Sequence, residues 1–253
     1  MDMKAVDRVV SVLGSSTNTI VVTGAGISTE AGIPDFRGPD GIYRKLGENQ
    51  VMNIININAF NRDPEVFYSF YRQHFVFEPV EPGKAHRVLA EMEKRGRVKG
   101  VVTQNIDGLH EKAGSRRVVA IHGTADRYLC RNRGCQAIFG DEYVKSCQDV
   151  VPRCEKCGSV LKPDVVLFGE NIKGYLEARE MILGAQVLIV IGSSLTVYPL
   201  AGFVKEFSTF YQDLIIINQG RTQLDHAALA KVDGGHTGDT LEEINRQMDL
   251  RGY

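Results

Sequence analysis

Five short aliphatic, largely β-branched runs each stop at a cluster of polar residues, and helical stretches separate them. Thr19-Ile-Val-Val22 runs into Gly24-Ala-Gly26, Val101-Val102 into Thr103-Gln-Asn-Ile-Asp107, and Val118–Ile121 into His122-Gly123. Val187–Ile191 runs into Gly192-Ser-Ser194 and Leu214–Ile217 into Asn218. Runs apolar at every position suit strands buried on both faces. Such strands alternating with helices form a parallel sheet covered on both sides. One intervening helix is expected over Ala85–Arg95, with an apolar stripe at Val88, Leu89 and Met92 and a stop at Gly96. Ligands of open parallel sheets bind at the carboxyl ends of the strands, so five polar clusters there predict one composite site. The fold class expected is α/β.

At roughly 150 residues per domain, 253 residues make about 1.7 domains, which suits one large domain with a smaller lobe. Two stretches break the strand–helix rhythm. Residues 38–78 hold NIININAF and FYSFYRQHF, and residues 126–160 hold all five cysteines. Both are read as inserts forming the second lobe, leaving 1–37, 79–125 and 161–253 for the main domain. Lys and Arg total 30 against 31 Asp and Glu, a net charge of −1, which argues against a broad nucleic-acid footprint. The longest uncharged stretch, Met181–Val204, is broken by Gly184, Gly192, Pro199 and Gly202, and its apolar part is strand-sized. Neither a membrane span nor a secretory signal is expected, and the setting expected is cytoplasmic.

Cys130-x4-Cys135 and Cys154-x2-Cys157 are two short-range pairs with 18 residues between them. Four thiolates at these spacings can close a tetrahedral shell around zinc, with no position left open for catalysis. Two disulfides or free thiols are the alternative, and a reducing cytosol disfavours the disulfides. Cys147 is the odd one, read as a small buried hydrophobe.

Gly24-Ala-Gly26 follows a strand and is expected to open a helix, where backbone amides cradle phosphate. The full G-x-G-x-x-G pattern is missing, because Thr29 stands at its last position and the next glycine is Gly32. No clear acidic residue ends a second strand about 20 residues on, as a ribose clamp requires, so a hydride-transfer dehydrogenase is disfavoured. In the loop Gly32-Ile-Pro-Asp-Phe-Arg37, Phe36 could cover a flat heterocycle. Arg37 reads equally as a phosphate partner or a surface ion pair.

Taken in order, Gly24-Ala-Gly-Ile-Ser28, Gly32-Ile-Pro-Asp-Phe-Arg-Gly38, Thr103-Gln-Asn-Ile-Asp107, His122-Gly123, Phe168-Gly-Glu170 and Gly192-Ser-Ser-Leu195 resemble the ordered motifs of the sirtuins. The paired cysteines fall between His122 and Phe168, as in that family, and the likeness spans about residues 20–245. The resemblance implies a Rossmann-type domain with a small zinc-binding and helical lobe, and NAD-dependent protein-lysine deacylation. It implies NAD contacts at Gly24, Ala25, Gly26, Thr29, Phe36 and Arg37, and at Gln104, Asn105, Ile106 and Asp107 around the nicotinamide end. Gly192, Ser193, Ser194, Asn218 and Gln219 would serve the phosphates and adenosine ribose, and Thr237 the adenine. His122 is implied as the general base, with Asn105 beside it, the pKa of imidazole suiting proton removal from a ribose hydroxyl. Cys130, Cys135, Cys154 and Cys157 would hold one structural zinc.

An extended acyl-lysine peptide would lie between two segments by strand addition, with Val166, Phe168 and Gly169 on one side and Val197 on the other. Family members that prefer succinyl or malonyl groups carry Tyr-x-x-Arg in the helical insert. Here Tyr71 falls at the tyrosine position and His74 where arginine would stand, so the acid-binding pair is incomplete. Deacetylation is the first expectation, giving free lysine, nicotinamide and O-acetyl-ADP-ribose. Preference for other acyl groups, mono-ADP-ribosyl transfer on the same scaffold, and a non-enzymatic binding module are the alternatives. His86 and His110 read as structural.

Overall fold

The computed structural model describes residues 2–38, 41–76, 80–210, 213–233 and 235–253; the expected boundary at 78/79 lies outside them. Nine strands are described: β1 (Thr19–Thr23), β2 (Gly100–Thr103), β3 (Val118–Ala120), β4 (Gly123–Cys130), β5 (Ile138–Gly140), β6 (Leu161–Val165), β7 (Val187–Ile191), β8 (Leu214–Ile217) and β9 (Ala230–Val232). The α-helices are α1 (Met3–Ser15), α2 (Ile42–Leu46), α3 (Glu48–Ile54), α4 (Ile57–Arg62), α5 (Pro64–His74), α6 (Lys84–Lys94), α7 (Leu109–Lys112), α8 (Asp141–Ser146), α9 (Tyr175–Leu183), α10 (Leu200–Phe210) and α11 (Thr237–Leu250).

Six strands form an all-parallel sheet in the order β3-β2-β1-β7-β8-β9. The chain builds outward from β1 in one direction and from β7 in the other, so the strand order reverses between them. Their loops diverge there and open a crevice above the carboxyl ends.

The two faces of the sheet sort by residue parity. Val21, Ile189, Ile191, Ile215 and Ile217 pack with Val6, Val9, Val10 and Leu13 of α1, Leu89 and Met92 of α6, and Leu241 and Ile244 of α11. Ile20, Val22, Leu188, Val190, Leu214 and Ile216 pack with Ala178 and Ile182 of α9 and Phe203, Val204 and Phe207 of α10. At about 1.5–3 kcal/mol per fully buried aliphatic side chain, this two-sided burial explains why unalternated runs form the central strands. The ends of α1 and α6 follow from local chemistry. Asp2 caps α1 by accepting the amides of Lys4 and Ala5 at 2.9 and 3.3 Å. After α6, Gly96 takes φ +77° and Arg97 donates back to the Met92 carbonyl at 2.9 Å, a Schellman stop.

The smaller lobe has its own antiparallel sheet, β5-β4-β6, beside α2–α5 and α8. Its core is aromatic: Phe60, Phe67, Tyr68, Tyr71, Tyr128 and Phe139, with Leu161, Val165 and Leu167. The Tyr68 hydroxyl donates to the Leu161 carbonyl at 2.6 Å, tying α5 to β6. One expectation is corrected: Gly24-Ala-Gly26 opens no α-helix. Two single 3-10 turns, Ala25–Ile27 and Thr29–Ala31, follow β1 instead. The reason is the approach of the neighbouring loop, described next.

Candidate active site

A cleft of about 1320 Å³ runs along the carboxyl edge of the sheet and under the small lobe. Every candidate cofactor and substrate residue named above lines it. Its floor at the strand reversal is two stapled loops. The Gly24 amide donates to Ile191 at 3.0 Å and the Gly26 amide to Gly192 at 2.9 Å. These two amides are therefore committed within the protein, and the helix-terminal cradle expected of them is absent. The amide of Ala25 has no protein partner among the described residues.

The staple explains the glycines. A Cβ on Gly192 would lie 2.4 Å from the Ile27 nitrogen and 2.6 Å from the Gly26 carbonyl carbon, at φ +61°. Both neighbours are backbone and cannot swing aside. Gly192→Ala is expected to cost about 1–3 kcal/mol, a drop of about 2–4 °C in melting temperature per kcal/mol at this size. Gly140→Ala, where a Cβ meets nothing within 4 Å, should leave the melting curve unchanged.

Beside the staple, Ser28 gathers three groups. It accepts from Asn105 Nδ2 at 3.0 Å, donates to Asp107 Oδ2 at 2.7 Å, and lies 3.4 Å from His86 Nε2. Asp107 Oδ1 accepts the Leu109 amide at 3.0 Å, and the Asn105 amide donates to Thr103 Oγ1 at 3.0 Å. The QNID segment is thus held in place from below, with Asn105 only 8% exposed. Two buried histidines lie under it, their rings 4.9 Å apart. Burial lowers the His86 pKa and holds that of His110 at about 3, so both are neutral at pH 7. His110 Nε2 lies 2.9 Å from the Thr23 hydroxyl, a place in the sheet's polar edge rather than in the cleft.

His122 stands between β3 and β4. Its Nδ1 lies 2.9 Å from the Gln104 carbonyl oxygen, which can only accept. Nδ1 therefore carries the proton and Nε2 the lone pair. Burial lowers this pKa, opposed by the bond to Gln104, so the neutral ring dominates at pH 7. Gln104 Oε1 accepts from Ser193 Oγ at 3.0 Å, which joins the second strand end to the fourth.

The outer parts of the cleft are more varied. Asn218 donates to the Gln219 carbonyl at 2.8 Å, and Gln219 to Gly235 at 3.0 Å. Thr237 begins α11 at the same end. Arg37 is paired with Glu48 at 2.5 Å and lies 4.8 Å above the Tyr43 ring, so the ion-pair alternative describes its place here. Phe36 packs near Tyr43 and Phe75. Tyr71 is enclosed by Phe67, Phe75, Tyr68 and Tyr128. Its hydroxyl is buried with no partner in hydrogen-bond geometry among the described residues, and burial, with Tyr128 beside it, raises its pKa well above the usual range, so it stays neutral.

Among the described residues, the Sγ atoms of Cys130, Cys135, Cys154 and Cys157 lie within 4.8 Å of one another, with Cys130–Cys157 at 3.4 Å and Cys135–Cys154 at 3.7 Å. A tetrahedral shell with Zn–S of about 2.3 Å has S···S edges of about 3.8 Å. The donor set therefore fits zinc, and Cys147 lies outside it, its thiol on the Tyr143 carbonyl at 3.3 Å.

The sequence model of the Sir2 family matches residues 24–199. The chain belongs to the Sir2 family. Among its curated Sir2 relatives, an NAD-dependent protein deacetylase of Saccharolobus solfataricus is 44% identical over 227 residues, covering 88% of this chain and 89% of its own. One of Thermotoga maritima is 38% identical over 243 residues, covering 95% and 96%. A solved Sir2 complex with a p53 peptide and NAD+ has a TM-score of 0.82 at 36% identity, covering 100% of this chain and 99% of that one. Another, with a deacetylated p53 peptide and 3′-O-acetyl ADP ribose, has 0.84 at 36%, with the same coverage. The six-strand sheet, the small antiparallel sheet and the four-cysteine cluster are those of a Sir2 fold. No helix among the described residues is long and apolar enough to cross a membrane.

Two features of this Sir2 site went unread in the sequence. Ser28 is the hub of the QNID network, signalled only by its place in GAGIS. Lys162 and Asp164 are buried charges in β6, and two opposite charges at i and i+2 around Pro163 were the available sign.

Proposed function

We propose that this chain is an NAD-dependent protein-lysine deacetylase whose chemistry centres on His122. The observation carrying that reading is the fixed tautomer: Nδ1 donates to Gln104, which leaves Nε2 in the cleft as a neutral base. Bound NAD would supply a breakable nicotinamide–ribose bond and the ADP-ribose that receives the acetyl group; with one water consumed to release the amine, the products are nicotinamide, free lysine and O-acetyl-ADP-ribose. The cleft fits such a group: it is long and polar at every strand end, and it offers the unpartnered amide of Ala25 at the staple.

In this reading Asn105 and Asp107, locked through Ser28, orient the nicotinamide ribose and carboxamide. Gly24–Gly26, Thr29, Phe36 and Arg37 border the first loop's share of the cofactor, and Gln104 and Ile106 the reacting end. Gly192–Ser194, Asn218, Gln219 and Thr237 take the phosphate and adenosine end. Val166, Phe168, Gly169 and Val197 receive the peptide backbone. His122 removes a proton from a ribose hydroxyl once the acyl oxygen is engaged. The four cysteines hold one structural zinc, and a cytoplasmic setting would keep them reduced.

An acetyl-lysine peptide, incubated with and without NAD and followed by mass spectrometry, tests the class. NAD-dependent loss of acetyl with an equal amount of nicotinamide is expected, whereas label from NAD fixed on protein would favour ADP-ribosyl transfer. Acyl choice follows from Tyr71, a neutral phenol in an apolar wall, and from His74, whose ring rests 4.6 Å from that of Phe70. Acetyl peptides should turn over at least about tenfold faster than succinyl peptides at pH 8. The same ratio in His74→Ala tests the second residue, and an unchanged ratio removes His74 from acyl selection.

A further inference from the structure

Strand β6 contains a lysine that the reaction does not use and that solvent scarcely reaches. Lys162 is 8% exposed, and its ammonium fills all three donor positions from within the protein. It donates to the Val165 carbonyl at 2.7 Å and the Pro163 carbonyl at 3.3 Å, and pairs with Glu170 Oε2 at 2.9 Å. The same Glu170 oxygen accepts the Leu167 amide at 2.9 Å. A ring is closed in this way: Lys162, the Val165 carbonyl, the chain to the Leu167 amide, Glu170, and back to Lys162. Burying an ammonium is unfavourable unless its partners are fixed, so the ring stands as a unit.

The ring encloses the stretch next to His122. The Val166 amide donates to the His122 carbonyl at 2.8 Å. Phe168 is held on its other edge, its amide on Ile55 at 3.1 Å and its carbonyl accepting from Ile57 at 3.0 Å. The Leu167 carbonyl accepts the Glu170 amide at 3.0 Å. What remains without a protein partner among the described residues is the Val166 carbonyl and the peptide groups of Gly169. A second pairing, on the buried Asp164, joins the strand to its surroundings: Asp164 accepts Arg127 Nε at 2.8 Å and also pairs with Lys173.

We propose that Lys162, clamped by Glu170, is a positioning residue that shapes residues 165–169 into the edge on which the acyl-lysine peptide is added. This rests on the reading that the peptide lies on that edge. Without the ammonium the Val165 carbonyl and Glu170 lose their partner, and the unpaired groups of Val166 and Gly169 lose their register. Peptide capture then suffers more than the chemistry, because His122 and the QNID network are fixed by bonds of their own.

The test is steady-state kinetics of Lys162→Met, Lys162→Arg and Glu170→Gln with an acetyl-lysine peptide, varying peptide and NAD separately. Expected for Lys162→Met is a rise in peptide KM of about tenfold or more, with kcat and the NAD KM within about threefold. Lys162→Arg should recover most of the loss, since it keeps a buried donor for both carbonyl and carboxylate. Glu170→Gln should fall between. If Lys162→Met does not fold, Glu170→Gln carries the test alone: its peptide KM must rise by about threefold or more with kcat held. An unchanged peptide KM, a loss confined to kcat, or no recovery by arginine overturns the clamp. A photo-crosslinking acetyl peptide mapped on the unaltered protein separates the two layers. Crosslinks away from 165–169 defeat the underlying reading, and crosslinks there with unmoved KM values defeat only Lys162.

Discussion

His122→Ala should lower deacetylation by about 10²–10⁴-fold while leaving NAD and peptide affinity nearly unchanged. The magnitude is that of removing a positioned general base. The separation of binding from turnover follows from the structure, because the side chain's described bond runs to a backbone carbonyl, that of Gln104, which the alanine variant leaves in place. The pH profile gives the same residue a second signature. Burial depresses the His122 pKa below 6.5, so the neutral base is fully present at pH 7–8 and is lost as pH falls through the lowered value. The acid limb of kcat/KM should therefore lie below pH 6.5 and vanish in the variant, whose residual rate should be flat. Calorimetric titration with NAD, beside turnover measured from pH 5 to 8, checks both. Retention of more than about a third of the turnover by the alanine variant would remove His122 from the mechanism.

Loss of the four-cysteine centre should have the largest effect on stability. Structural zinc contributes an apparent 10–16 kcal/mol or so in zinc-finger peptides, and whole domains are stable by only about 5–15 kcal/mol. The strands that carry Cys130 and follow Cys154 are also those that hold Tyr128 and Leu161 in the lobe's core. Cys154→Ser is expected to abolish bound zinc and to unfold the small lobe at a temperature where the parallel sheet remains intact. Turnover should fall with it, since β6 runs straight into residues 165–169. Elemental analysis and a melting curve followed by circular dichroism give the readout, with Cys147→Ser as the control that keeps its zinc and its melting point. Full zinc content in Cys154→Ser would mean that the ion is held elsewhere.

What the sequence disclosed divides along physical lines. Val187–Ile191 and Leu214–Ile217 were readable to the residue, because a strand buried on both faces needs an unbroken apolar run. The cysteine spacing was readable because chelation is local in the chain on each side. β9, three residues with Lys231 in the middle, had too little pattern to notice. The antiparallel sheet was hidden too, because β4 is half-exposed and shifts register between Gly123 and Tyr128. The helix expected after Gly24 failed for a reason outside the local sequence: the Ile191 and Gly192 carbonyls, far along the chain, occupy the amides of Gly24 and Gly26. Arg37, which read equally as a phosphate partner or a surface ion pair, is tied to Glu48, while Lys162, which drew no reading from the sequence, is buried.

The neighbouring of β1 and β7 also bears on how the protein is made. Thr19–Thr23 pairs with Val187–Ile191, partners that leave the ribosome far apart in time. At about 5–20 residues per second, translation separates them by roughly 8–34 s. Through that interval the β1 edge that will receive β7 is a bare row of backbone donors and acceptors, the kind of edge on which nascent chains associate wrongly. Contacts of such long sequence separation also slow folding itself. The strand reversal that opens the cleft thus makes the completion of its floor wait for a strand synthesised late in the chain.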